Sequence, residues 1–145
     1  AIAIGYSAKA QKKWAIVIGS GASAEEEGAT ALGYKSTARG KNALALGSNA
    51  LAHLENSVAI GYNSSVGAAN SVSFGSSGAT RRLMYVTAGE SETDAANFGQ
   101  LLKSASLNGS TLQFYTNARE EAFNVDLSSL SGTGGAGGAG SMGGG

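Results

Sequence analysis

The 145-residue chain has no cysteine and no proline, one tryptophan, one histidine, and only 14% charged residues. Each shortage removes a class of protein. Without cysteine there is no disulfide framework and no thiolate metal site. Without proline a collagen-type triple helix is excluded, despite 23 glycines. Ten basic residues balance ten acidic ones, so no basic field exists to attract nucleic acid. No stretch approaches the roughly 20 apolar residues of a membrane-spanning helix. There is no initiator methionine and no signal-peptide pattern, and Ala1 falls on the first position of a repeat. The chain therefore reads as a fragment or a processed product.

What is present is a period. Gly5, Gly19, Gly33, Gly47, Gly61 and Gly75 recur every fourteen residues, each inside a similar phrase such as AIAIGYSAKA or SVAIGYNSSV. A short fixed period marks a solenoid, in which each repeat is one layer and cannot fold alone. With the glycine at position five, positions two and four carry Ile, Leu, Val, Phe and one Thr. Positions eight and ten carry small residues, as in Ala22/Ala24 and Ala50/Ala52. Both pairs have the period-two spacing of a strand. Each coil is thus two short strands, with the glycine at the turn between them and positions eleven to fourteen as the return loop. Coils should stack at about 4.8 Å.

The pattern predicts that the large residues of strand one face the alanines of strand two across a thin core. Strand two then points Lys9, Ser23, Thr37 and Ser65 to solvent, with Leu51 as the exception. The outer column of strand one becomes Ala3, Val17, Ala31, Ala45 and Ala59. That column is small and apolar, as in a sheet covered on both faces, and the simplest cover is another copy of the chain. Ala3, Val17, Ala31, Ala45 and Ala59 are therefore the expected intersubunit contacts.

The A-I-G phrases at 3–5 and 59–61, with their variants, resemble the head repeats of trimeric autotransporter adhesins of the YadA type. The resemblance continues through NSVSFG at 70–75, RRL at 81–83, VTAG at 86–89 and TDAANFGQL at 93–101, which are similar to that family's neck. It implies a left-handed parallel β-roll, a homotrimer, and a neck in which Arg81, Arg82, Asp94 and Asn97 hold chains together. Arg81 or Arg82 is expected to meet an acid or a carbonyl, such as Asp94, across subunits. It also implies an extracellular attachment function on a bacterial surface, toward a protein or glycan receptor. Similar repeats occur in bacteriophage tail fibres, which places a virion tail as the alternative.

The expected organisation is an all-β chain: head 1–78, neck 79–102, a β module 103–131 and a glycine-rich tail 132–145. The β module replaces the heptads of a stalk. Alternation at 111–115 and 122–127 reads there as a β-hairpin. Nine of the fourteen tail residues are glycine, so the tail reads as a linker, or, where ordered, as backbone paired mainly with other chains.

Candidate chemistry is sparse. No nucleophile–base pair stands out, so the chain reads as non-enzymatic, without catalytic residues, cofactor or metal. His53 reads as a solvated loop residue. The run Glu25, Glu26 and Glu27 lacks the spaced oxygen ligands of a calcium site. Loop charges alternate in sign from Lys12 and Lys13 through Glu25–Glu27 to Arg39, Lys41 and Glu55. Tyr6, Tyr34 and Tyr62 share position six and read as a packed corner ladder. Trp14 stands alone in a polar loop and is the candidate receptor contact. An ice-binding or purely structural solenoid is a third class, but it needs a flat threonine array. The column Ser7, Gly21, Lys35, Asn49 and Asn63 does not supply one.

Overall fold

A computed structural model of the protein describes residues 1–116 and 121–130. The glycine-rich tail lies outside the described residues. The chain divides into two compact units, Ala1–Arg82 and Leu83–Gly145.

The first unit is a parallel β-solenoid. Its long sheet contains β1 (Ile2–Ile4), β3 (Ile16–Ile18), β5 (Thr30–Leu32), β7 (Leu44–Leu46), β9 (Val58–Ile60) and β10 (Val72–Ser73), in that order. The opposite sheet contains β2 (Lys9–Ala10), β4 (Ser23–Ala24), β6 (Thr37–Ala38) and β8 (Leu51–Ala52). Every neighbour is fourteen residues away in parallel register, as in Ile4↔Ile18 and Ala24↔Ala38. The sequence period is therefore the hydrogen-bonding period.

Two turns close each coil. The first runs from the glycine to position eight, as in Ser36 N–H donating to Gly33 O at 3.2 Å. The second runs from position twelve to the next coil, as in Ala29 N–H donating to Glu26 O at 3.2 Å. Each holds one residue in the left-handed region: Lys35, Asn49 and Asn63 in the first, Gly28, Asn42, Asn56 and Asn70 in the second. Asn and Gly are the residues that tolerate that conformation. The position-five glycines stack so tightly that a Cβ on Gly33 would lie 2.7 Å from the carbonyl carbon of Gly47.

The core reverses one expectation. Val17, Ala31, Ala45 and Ala59 have no exposed surface, and neither do Ala15 and Ala29 at position one. Ala3, in the first coil, belongs to the same column and is exposed. This column is the monomer's core and not an intersubunit surface. The partners across the core are Ala22, Ala24, Ser36, Ala38, Ala50, Ala52, Ser64 and Val66, as expected for strand two. The cause is spatial: both sheets line a core too thin for large side chains, so alanine meets alanine. Ile and Leu at positions two and four are turned outward. Buried serines fold back onto their own turns, Ser36 Oγ donating to Gly33 O at 2.9 Å and Ser64 Oγ to Gly61 O at 2.8 Å.

The second unit begins with irregular backbone and one 3-10 turn, Phe98–Gln100. A three-stranded antiparallel sheet follows: β11 (Leu102–Asn108), β12 (Thr111–Thr116) and β13 (Glu121–Asp126). The expected hairpin is β12–β13, and β11 adds a third strand to it. Phe114 stacks on Phe123 with ring centroids 4.4 Å apart.

Candidate functional site

The outward columns of the long sheet form an aliphatic face. One column is Ile2, Ile16, Thr30, Leu44, Val58 and Val72; the other is Ile4, Ile18, Leu32, Leu46, Ile60 and Phe74. Ile18 is 46% exposed, Leu46 40% and Phe74 41%, in the middle and at the far end of the stack alike. A contiguous apolar surface of this kind marks an interaction site. Burying such a side chain from full exposure is worth roughly 1.5–3 kcal/mol, so covering what remains exposed here is worth roughly half of that each.

The opposite face is polar. Gln11 Nε2 donates to Ser23 Oγ at 3.4 Å, and Arg39 Nε meets Glu25 Oε1 at 3.3 Å. That ion pair is the one salt bridge among the described residues; Lys12, Lys13, Lys41 and Glu55 of the alternating series form none there. His53 is exposed, and no group of His, Asp and Glu suited to a metal occurs among the described residues.

The coil corners carry the aromatics. Trp14 is 62% exposed, and Lys13 Nζ lies 4.3 Å from its ring centroid. Its φ is +62°, in the column otherwise held by Gly28, Asn42, Asn56 and Asn70. A bulky residue in that conformation is strained, and such strain concentrates at functional positions. Farther along the column, Asn42 Nδ2 donates to Asn56 Oδ1 at 3.3 Å and Asn56 Nδ2 to Asn70 Oδ1 at 3.1 Å. At the other corner Tyr6, Tyr34 and Tyr62 are 85%, 52% and 60% exposed. They are not a packed ladder: they occupy alternate coils, with Ser20 and Ser48 between them.

Arg81 closes the far end of the solenoid. Its guanidinium donates to Phe74 O and Tyr62 O. It lies 3.1 Å from the point where a Cβ on Gly61 would sit. A carbonyl acceptor was anticipated, but across subunits; here both carbonyls belong to the same chain. Arg82 is exposed.

Asp94 also works locally rather than as an arginine partner. Its Oδ2 accepts the N–H groups of Glu90 and Ser91 at 3.0 Å each. Those two bonds, Ser91 first, hold its carboxyl below the usual carboxylate range. Asn97 caps the 3-10 turn, accepting Gln100 N–H at 3.2 Å and donating to Val86 O at 3.1 Å. Gln100 completes the clamp by accepting Gly89 N–H at 2.9 Å and donating to Gly89 O at 3.0 Å. These bonds tie 86–89 to 97–100. Leu83, Met84, Tyr85 and Phe98 beside them are exposed, Tyr85 by 99%.

The model of the YadA head domain repeat matches residues 1–22, 15–36, 24–50 and 55–77, just over half of the chain. No curated protein sequence matches it. Seven chains of known structure do. One is the collagen-binding domain of the Yersinia adhesin YadA, 29% identical with a TM-score of 0.50. The match covers 68% of this chain and 63% of that one, so the chain spans less than two thirds of the Yersinia domain.

Proposed function

Because this chain belongs to the YadA head repeat family, we propose that it is the attachment region of a bacterial surface adhesin. The observation that carries the reading is the aliphatic face. A solenoid with a core of alanines and its isoleucines outside needs a cover, and parallel copies that turn this face toward a common axis supply one. Three copies assemble about a common axis, in keeping with the family's trimers, with Ile4, Ile18, Leu32, Leu46 and Ile60 at their contacts. Residues 1–78 serve as the head, 79–102 as the neck and 103–131 as a β module. The polar face and the corners stay open to a receptor outside the cell, with Trp14 as one contact. The Yersinia relative is a collagen-binding domain, which supports a protein receptor. No cofactor and no catalytic step are involved.

The three-stranded sheet at 102–126 stands where a stalk would continue as heptads, and it favours a second reading as a phage tail-fibre segment. Sedimentation of the paired variant Ile18→Glu/Leu46→Glu tests the assembly, because unpaired charges buried between subunits are costly. The variant should sediment as monomer or unfold, and an intact trimer would refute the interface. Retention of the wild-type chain on immobilised matrix proteins tests the adhesin. Retention only on bacterial cells would favour the tail fibre.

A further inference from the structure

The three-stranded sheet sorts its side chains by face. Opposite residues of an antiparallel pair lie on one side of the sheet, and residues two apart in a strand share that side. Leu107 pairs with Leu112, Leu112 with Val125, and Phe114 with Phe123. Those five side chains therefore form one apolar patch, which contains the Phe114–Phe123 stack. The other side carries Ser106, Gln113 and Asn124 in one row and Asn108, Thr111 and Asp126 in another. That side is polar and makes its own bonds: Tyr115 Oη donates to Gln113 Oε1 at 3.1 Å, and Ser106 Oγ donates to Tyr115 Oη at 3.5 Å. Nothing among the described residues covers the apolar side. Leu107 is 66% exposed, Phe123 47% and Val125 39%.

A sheet with one apolar face needs a second layer. The last residues of the chain cannot supply it, because 131–145 carry a single large apolar side chain, Met142. The strands of 102–126 are also well under the roughly 40 residues below which a fold needs disulfides, a metal or association. The chain has no cysteine, and the described residues hold no cluster of metal-ligating side chains. None of the five patch residues is charged, so copies of this face meet without like-charge repulsion. In the trimer proposed above, three such sheets are tethered to one assembly, and a tether raises their effective concentration to about the mM range. A stable interface on its own buries about 1,200–2,000 Å². Five side chains fall short of that alone and suffice once tethered.

We propose that the apolar sheet faces of three copies pack together around the assembly axis, with Leu107, Phe123 and Val125 of each copy against those of the other two, and that this contact fixes the axial register of the trimer. The solenoid does not fix it. Its aliphatic columns repeat every fourteen residues. Copies offset by one coil, about 4.8 Å, therefore present nearly the same contacts. The sheet has no repeat, so only the unshifted arrangement brings each Leu107 to the level of its counterparts. The proposal rests on the trimer reading and names the occupant of a second surface, separate from the aliphatic face of the solenoid.

A chain without cysteine makes cross-linking at an introduced thiol specific. Leu107→Cys and Ser106→Cys place that thiol on opposite faces at adjacent, exposed positions. Each full-length variant is treated with a bismaleimide that bridges the roughly 10 Å between packed sheets. Leu107→Cys should give covalent dimers on a denaturing gel, and Ser106→Cys at least about tenfold fewer. As a second measurement, Leu107→Lys should speed hydrogen exchange across 111–116 at least about tenfold while the chain still sediments as a trimer, and Ser106→Lys should not. Equal dimer yields from the two cysteines, or no dimer from Leu107→Cys in a chain that sediments as a trimer, would overturn the proposal and leave the head assembly standing. A chain that sediments as anything but a trimer defeats the assembly reading. Leu107→Cys dimers would then still uphold the contact between copies, and their absence would defeat both.

Discussion

Gly33→Ala should be among the most damaging single-methyl changes in the solenoid. Gly33 has φ +130°, and a Cβ there would lie 2.7 Å from Gly47 C and 2.8 Å from Gly47 O. Two penalties combine. Holding an L-residue in that backbone region costs roughly 1–3 kcal/mol. Forcing a methyl against backbone that cannot swing aside costs roughly another 1–3 kcal/mol. The sum of about 2–6 kcal/mol is a large part of a typical stability of 5–15 kcal/mol. Three other glycines separate the penalties. Gly40 has no left-handed φ, but its Cβ would lie 2.0 Å from Leu54 O, so Gly40→Ala isolates the clash. Gly109 has φ +60° and open space around it, so Gly109→Ala isolates the strain, about 1–2 kcal/mol. Gly67 has neither, and Gly67→Ala should be neutral or stabilising by up to about 1 kcal/mol. Urea unfolding of all four at one protomer concentration provides the comparison, with hydrogen exchange of 102–126 reporting Gly109→Ala locally. Gly33→Ala unfolding within about 0.5 kcal/mol of Gly67→Ala would refute the close-stacking account.

Arg81→Gln should cost about 1–3 kcal/mol, because two carbonyls at the end of the stack lose a charged donor; hydrogen exchange should rise first near Tyr62 and Phe74, and uniform exchange would argue against a cap. Trp14→Asn installs the residue its column favours, so it should stabilise the solenoid by about 0.5–1 kcal/mol while weakening receptor binding, measured by thermal melts and by retention on the bound surface. The lowered carboxyl of Asp94 gives a pH dependence whose sign is fixed. A carboxylate depressed in the folded state contributes above its unfolded value of 3.8 and loses that contribution as pH falls through the folded value. Amide protection at Glu90 and Ser91 should therefore persist as pH falls to 3.8 and be lost only below it, and Asp94→Asn should abolish that step.

The period, the glycine turns and the small residues of strand two were legible because each is a local requirement repeated five or six times. The facing of strand one was not. Alternation establishes which residues share a face, not which face lies inside. The usual preference for large apolar residues in a core favoured Ile4, Ile18, Leu32 and Leu46 over Ala31 and Ala45. A signal was available: positions one, three, eight and ten are almost all small. Only a core lined by small residues from both sheets brings those four columns together. The neck motif located Asp94 and Asn97, but a motif carries no partners, so Asp94 was paired with an arginine while its own turn offered two N–H donors. Strand β11 was missed because Lys103, Ser104 and Ser106 dilute its apolar alternation.

The inverted strand changes what assembly means for this protein. The fully buried side chains are alanines, a few serines and Val17, and each coil removes little apolar area from water. Its fourteen residues still give up backbone entropy of about 1–2 kcal/mol apiece. Ladder and turn hydrogen bonds recover only part of that, at about 0.5–1.5 kcal/mol net each. The side chains able to supply the remainder, Ile18, Leu32, Leu46 and Ile60, are on the outside. Their burial becomes available only when copies meet. In the proposed trimer, folding and association draw on the same surface, so stability is expected to depend on protomer concentration. The arrangement also leaves the exposed coil corners free of structural duty. Position six can alternate between Tyr and Ser, and position fourteen can hold Trp14, because neither supports the core.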